Sequence, residues 1–253
     1  MLLRAALTTF RHGDTLAAKP VSTAVDVSLR HLTAYNAVCG FALCDALPLT
    51  YPHVLGFPLQ MKLMTGSGFP FPLPGLVHIA NRITQSRPLT LDEQLEITVS
   101  ARDLRPHPQG VQVDVVTSVS GVWEGVSTYL RRTGGGSSGG EEPRRPVGSA
   151  VWRVPADIGR RYAAVSGDRN PIHLYPLSAK LFGFKRAIAH GMWTKARCVA
   201  ALEGRLPEAV TVDVRFKKPL LIPGRVEFSA FEVAGGWEFG VWGKGPHLLG
   251  SAR

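Results

Sequence analysis

Apolar and polar positions alternate with period two along three runs of the second half of the chain. These are VTVDVRFKKPLL, GRVEFSAFEVA and WEFGVWG, separated by PG and GG turns. Such alternation predicts strands with one buried face. Upstream, ADIGRRYAAVSG carries apolar residues at helical spacing and stops at Gly167, a residue suited to closing a helix. AHGMWTKARCVAALEG is the strongest helical segment, with Met192, Ala196, Val199 and Ala200 on one face and Gly204 as its stop. The SGDRNPIH stretch between them is expected as loop, because the residue before a proline is disfavoured in helix. The first half shows the same order, with a shorter helix near 58–65 and strands at 76–84, 93–102, 111–120 and 122–131. A helix followed by consecutive strands is an α+β pattern, one sheet wrapping one apolar helix.

The halves also resemble each other residue by residue. YNAVCGF, from Tyr35 to Phe41, matches YAAVSGD, from Tyr162 to Asp168, at a separation of 127 residues. HIANRITQSRPL (78–89) matches VDVRFKKPLL (212–221), with Pro88 and Pro219 131 apart. Two weak matches in the same order at nearly constant separation point to an internal duplication. Between the halves, RRTGGGSSGGEEPRRPVGSA (131–150) is too rich in Gly, Ser and charge to bury a core. Three units are therefore expected: an N-terminal repeat over 1–132, a linker over 133–149 and a C-terminal repeat over 150–253. Two repeats in one chain make an intramolecular pseudo-dimer, and whether it pairs again as a homodimer is left open.

Composition narrows the function classes. Three cysteines (Cys39, Cys44, Cys198) cannot all pair, and none forms a CxxC. They are expected to be reduced, buried thiols of a cytoplasmic protein, with no zinc site. The start, MLLRAALTTFRHGD, lacks the long apolar run of a signal peptide and is expected to be a surface segment. No stretch reaches the roughly 18 consecutive apolar residues of a membrane span. Net charge is +10, from 29 Lys+Arg against 19 Asp+Glu, which favours a polyanionic partner. Nucleic acid is disfavoured, because the basic residues are scattered and lack aromatic interleaving. Coenzyme A phosphates or an acidic carrier protein fit better.

Candidate chemistry gathers in the second half. Asp168 and His173 lie five residues apart, close enough for a loop to bring carboxylate and imidazole onto one water or hydroxyl. Alone, Asp168 and Asn170 read as turn formers. Next to AHGMW the balance changes: Gly191 would sit in the first turn of the long helix, its N–H unpaired at the positive end of the dipole. Such a donor suits a developing oxyanion, although the same stretch also fits a simple helix start capped by His190. Arg215, Lys217 and Lys218 fit a phosphate or acidic partner, or merely a solvated strand face. FPFPLPG (69–75) reads as a stiff loop packing its phenylalanines on the core. There is no GxSxG elbow, no phosphate-loop lysine and no metal-ligand spacing.

The stretch YAAVSGDRNPIHLYPLSAKLFGFKRAIAHGM (162–192) resembles the signature of MaoC-like (R)-specific enoyl-CoA hydratases and (3R)-hydroxyacyl-thioester dehydratases. It shares their Ser-Gly-Asp, Asn-Pro, His, a later Pro176 and Ala179, and the His-Gly-Met of the central helix. LPLTYPHVLGFP and the ITQSRPL run are similar to the actinobacterial double-hotdog dehydratases of the HtdX type. The resemblance implies a double hotdog fold and reversible dehydration of (3R)-hydroxyacyl thioesters, on coenzyme A or acyl carrier protein, without cofactor or metal. It assigns the water to Asp168 and His173 and the thioester carbonyl to the Gly191 N–H. Asn170 is implied to shape the loop and orient that pair, with Ser166 a weaker candidate; together with His190, Arg215, Lys217 and Lys218 they make up the expected substrate contacts. Tyr175 departs from the family's frequent Asp, which weakens a cap. Phe41 stands where Asp168 does and nothing after it matches the His, so the first half is expected to be degenerate and to make room for a long acyl chain.

The hotdog scaffold also hosts thioesterases, so fold alone does not decide. A thioesterase wants a carboxylate on the central helix, and His190–Leu202 has none. A non-catalytic binder of acyl thioesters or polyanions is the third reading, motivated by the charge.

Overall fold

A computed structural model of the chain describes residues 13, 15–134 and 150–253. The N-terminal segment and the linker therefore lie almost wholly outside the described residues. The elements run β1 (Val21–Asp26), α1 (Leu29–Cys39), α2 (Tyr51–Thr65), β2 (Leu76–Gln85), β3 (Gln94–His107), β4 (Gly110–Val119) and β5 (Trp123–Arg132). The second half contributes β6 (Ala150–Val154), α3 (Ile158–Ser166), α4 (Pro171–Leu174), α5 (Pro176–Leu181) and α6 (Gly191–Ala201). It ends with β7 (Val210–Phe216), β8 (Gly224–Val233), β9 (Gly236–Trp242) and β10 (Pro246–Ala252).

All ten strands form one antiparallel sheet in the order β1-β3-β4-β5-β2-β7-β10-β9-β8-β6. Each half repeats the same order outward from the centre, and the seam is the β2–β7 pair. Arg82 faces Asp213 across that seam, and 82 plus the repeat interval of 131 is 213. The axis of the duplication therefore passes through this pair, which is tied by an Arg82 Nη2 to Asp213 Oδ2 contact of 2.7 Å. Other local bonds repeat as well. The Leu47 N–H donates to the Leu89 carbonyl and the Ala189 N–H to the Leu220 carbonyl, the acceptors again 131 apart. Gly40 and Gly167 close α1 and α3 with φ of 84° and 74°, the left-handed conformation that favours glycine. Two curved half-sheets, each wrapping a central helix, make a double hotdog of the α+β class.

Several elements differ from the sequence expectation. Helix α2 starts at Tyr51, not near 58, and runs through Pro58. Burial compensates for the backbone bond that Pro58 cannot make, since Tyr51, Val54, Gln60, Leu63 and Met64 are all buried. Gly56 lets the helix approach β4; a Cβ there would meet Thr117 Cγ2 at 2.7 Å. Residues 171–174 form a helical turn, because Pro171 sits at the first helical position, where its missing N–H costs nothing, and Asn170 Oδ1 caps it. Tyr175 starts α5 without a side-chain cap, stands 55% exposed, and lies under the Arg160 guanidinium. Phe69 and Phe71 are buried, as a core-packing loop requires. Cys39 and Cys198 are buried, but Cys44 is exposed, because the short segment after α1 runs over the surface. Among the described residues, no helix is long and apolar enough to cross a membrane.

Helix α6 is buried nearly all round, so a single apolar face describes it poorly. Its Lys195 is fully buried, with Nζ donating to the Asn81 carbonyl (3.0 Å), Asn81 Oδ1 (2.6 Å) and the Val212 carbonyl (3.0 Å). Three acceptors match the three protons of an ammonium. Burial pulls its pKa well below the usual lysine value, and nearby Asp213 opposes this. Asn81 belongs to β2 and Val212 to β7, so one side chain ties the central helix to both sides of the seam. Replacing Lys195 with Met would leave these acceptors unmatched, at about 1–3 kcal/mol each where no other partner serves them. A loss of unfolding free energy near 3 kcal/mol is expected in urea titrations; a loss under about 1 kcal/mol would show that the seam does not need the ammonium.

Candidate active site

Between the halves lies a cavity of about 1110 Å³. Its walls come from the start of β2, the far ends of β3 and β5, the loop from Ser166 to Asn170, α4, the start of α6 and the end of β7. Every residue singled out from the sequence lines it: Ser166, Asp168, Asn170, His173, His190, Gly191, Arg215, Lys217 and Lys218. Arg215, Lys217 and Lys218 are exposed, whereas His173, His190 and Ser166 are buried.

Local folding explains how the loop is held. After Gly167 turns the chain, the Asp168 N–H donates to Ser166 Oγ (3.2 Å) and the Asn170 N–H to Asp168 Oδ1 (3.1 Å). Ser166 thus holds the Asp168 backbone and the Asn170 N–H its carboxylate, and Asn170 also starts the turn that carries His173. His173 Nδ1 donates to the Ile188 carbonyl (2.8 Å), so the ring carries its proton on that nitrogen, leaving Nε2 as its unbonded atom. The His190 ring stacks on His173 with centroids 3.7 Å apart, and its Nε2 donates to the Asp168 carbonyl (3.0 Å). His190 Nδ1 is buried without a partner. At the head of α6, the Gly191 N–H has no hydrogen-bond partner among the described residues, as befits a first-turn amide. A Cβ on Gly191 would meet the Phe216 ring at 2.9 Å, so only glycine leaves this helix start uncrowded.

The electrostatics favour an ionised acid beside neutral imidazoles. Burial would raise the Asp168 carboxyl, but its attraction for a proton on His190 or His173, with the Asn170 N–H, outweighs this and holds it below the usual carboxylate value. Its side chain keeps 29% exposure at the cavity. Burial lowers His173 and drives His190 to about 3, in both cases against the pull of Asp168.

Asp168, His173 and His190 each offer a donor atom within 4.8 Å of the others, a grouping that sequence spacing did not reveal. The two rings are stacked at 27°, so their in-plane lone pairs run side by side and do not converge on one ion. The chemistry this arrangement offers is proton transfer at a bound hydroxyl or water, in a cavity that an unpaired amide able to take up carbonyl charge also lines.

The N-terminal half contributes more than shape, which the sequence comparison with Phe41 missed. Phe41 does not line the cavity; it stacks on Tyr35 at 6.1 Å. From other positions, His53, His78 and Tyr129 reach the cavity wall. Burial pulls His53 to about 4 and His78 to about 3. Tyr129 stacks on His78 at 4.7 Å, and Phe216 meets His78 edge-on. Arg105 and Arg132 add cations from the same half. No local motif marks these residues; only the meeting of distant strands brings them in.

Gly159 is a further residue that only packing reveals. A Cβ there would fall 1.9 Å from the His173 carbonyl oxygen, so α3 can lie against α4 only with glycine at this position. Gly159→Ala is expected to cost about 1–3 kcal/mol through overpacking and to shift the His173 imidazole resonances in a long-range 1H–15N spectrum. Wild-type resonances in the variant would show that the contact does not position the ring.

Comparison with known proteins identifies the family. Residues 137–236 match the MaoC like domain. The chain is 44% identical over 237 residues to the 3-hydroxyacyl-thioester dehydratase X of Mycobacterium tuberculosis, covering 88% of this chain and 84% of the relative. The crystal structure of HtdX from the same organism superposes with a TM-score of 0.82 at 40% identity, covering 93% of this chain and 99% of that one. A MaoC-like dehydratase from Phytophthora capsici shares the fold at 19% identity, with a TM-score of 0.76 over 94% of this chain and 96% of that one. The chain belongs to the MaoC-like dehydratase family.

Proposed function

We propose that the protein is a hydro-lyase that interconverts (3R)-hydroxyacyl thioesters and trans-2-enoyl thioesters, carried on coenzyme A or an acyl carrier protein. The observation that carries this reading is that Asp168, His173 and the unpaired N–H of Gly191 line one cavity. In dehydration, the thioester carbonyl accepts the Gly191 N–H, which stabilises the enolate character that develops as the C2 proton leaves. The Asp168–His173 pair takes that proton and supplies one to the C3 hydroxyl, which departs as water; hydration runs the same steps backwards. His173 presents Nε2 to this exchange because Nδ1 is committed to Ile188. Arg215, Lys217 and Lys218, exposed at the cavity, are suited to the phosphates of the carrier.

The cavity volume lies at the upper end of what a drug-sized ligand needs, which supports a long acyl chain. The thioesterase alternative lacks its base. Helix α6 carries no carboxylate, and Glu203 beyond it accepts the N–H of Ala42.

Asp168→Asn and His173→Ala are each expected to lower kcat for hydration of crotonyl-CoA at least about a hundredfold, the range of general acid–base catalysis. Wild-type turnover by either variant would overturn these roles. The pH profile follows from the His173 shift. Its pKa lies below the ordinary imidazole value of 6.5, so the ring is neutral at pH 7 and accepts a proton only as pH falls below that value. Hydration kcat/KM should therefore be level from pH 7 to 8 and fall on the acid side of 6.5; a fall beginning above pH 7 would contradict a depressed imidazole.

A further inference from the structure

Helices α4 and α5 and the turn after them have no counterpart in the first half. From the glycine closing the first helix to the cap of the central one, the N-terminal repeat uses 10 residues (40 to 50). The C-terminal repeat uses 23 (167 to 190). The inner side of this extra segment lines the cavity through Asn170, Ile172, His173, Phe182 and Phe184.

Its outer side is unusual for a protein surface. Tyr175, Leu177, Leu181 and Phe182 are 55%, 76%, 84% and 49% exposed. The same segment and the adjoining α3 carry six exposed cations, Arg160, Arg161, Arg169, Lys180, Lys185 and Arg186, with the Arg160 guanidinium over the Tyr175 ring. The only acidic residue from 158 to 186 is Asp168, which faces the cavity. None of the six cations makes an ion pair among the described residues. Phe182 belongs to both sides, half-exposed outside and part of the cavity wall, so this surface stands at the rim of the site.

Isolated exposed apolar side chains need no explanation, but four within eight residues, in a segment rich in unpaired cations, mark an interaction surface. Cations alone would suit the phosphates of coenzyme A; a nucleotide has no use for two nearly bare leucines. A second copy of the chain is disfavoured, because a two-fold contact would set six cations against six. What the patch complements is an acidic surface with an apolar ridge, bearing a thioester that must reach the adjoining cavity. We propose that the outer face of α4 and α5 docks an acidic acyl carrier protein, whose thioester enters past Phe182. The inference rests on the dehydratase reading above and names the carrier of its substrate.

The test compares trans-2-decenoyl-CoA with trans-2-decenoyl-acyl carrier protein as substrates at low ionic strength. Two variants are used, Lys180→Glu/Lys185→Glu/Arg186→Glu and Leu177→Ser/Leu181→Ser, none of which alters a cavity-lining residue. Each should lower kcat/KM for the carrier thioester at least tenfold, through KM, and leave the coenzyme A thioester within twofold. Raising salt should weaken the carrier reaction of the wild type more than that of the charge-reversed variant. Carrier kinetics unchanged in both variants, or both substrates falling together, would overturn the proposal. So would a wild-type enzyme that hydrates the coenzyme A ester and ignores the carrier. Loss of binding to phosphatidylglycerol vesicles with carrier kinetics intact would assign the patch to membranes; loss of a dimer in light scattering would assign it to self-association. A wild-type enzyme that hydrates neither substrate overturns the dehydratase reading. Anisotropy titration of the labelled carrier against wild type and variants then still decides the docking, since it needs no turnover.

Discussion

The β2–β7 pair is the constraint on which the rest of the molecule depends. It turns two five-stranded half-sheets into one, and it places the cavity walls of one half against the loop and helix start of the other. Lys195 makes the seam more than a ladder of backbone bonds. By donating to Asn81 on one strand and Val212 on the other, it fixes the central helix, and hence Gly191, relative to both halves. A buried charge with every proton matched is costly to disturb and tolerates few alternative packings.

The strand pattern was legible because each strand has one wet and one dry face. Expected limits of 76–84 and 122–131 sit within one residue of Leu76–Gln85 and Trp123–Arg132. The pairing of Asp168 with His173 was legible because the two lie within a few residues of one another. What could not be read depends on distant segments meeting. Lys195 on a helix reads as a solvated charge until the carbonyls above it are known. Pro58 reads as a helix break, yet a buried helix is held by its neighbours and runs through it. His53 and His78 carry no motif, and Gly159 earns its place only through a carbonyl fourteen residues away in sequence. The exposed thiol of Cys44 shows the opposite error, where an apolar residue type was taken as buried.

Asymmetry between the repeats gives the cavity its character. The longer 167–190 segment brings Asp168, Asn170 and His173 to the cavity, whereas no residue of the shorter 40–50 connection lines it. That side is not a passive wall. Neutral His53 and His78 with Tyr129 give it polar edges beside the apolar Phe57 and Leu76, so the space can orient a chain as well as hold it.

The Arg82–Asp213 contact is an exposed ion pair and contributes little to stability. Its position says more than its energy. In an assembly of two identical chains, a residue on the two-fold axis meets its own copy, and a charge there can only repel. Here the two occupants of that place carry opposite signs, an arrangement closed to identical copies and open to repeats that differ in sequence. A separated N-terminal repeat pairing with itself would face arginine with arginine, and a separated C-terminal repeat aspartate with aspartate. The fusion is thus written into the middle of the sheet as well as into the linker.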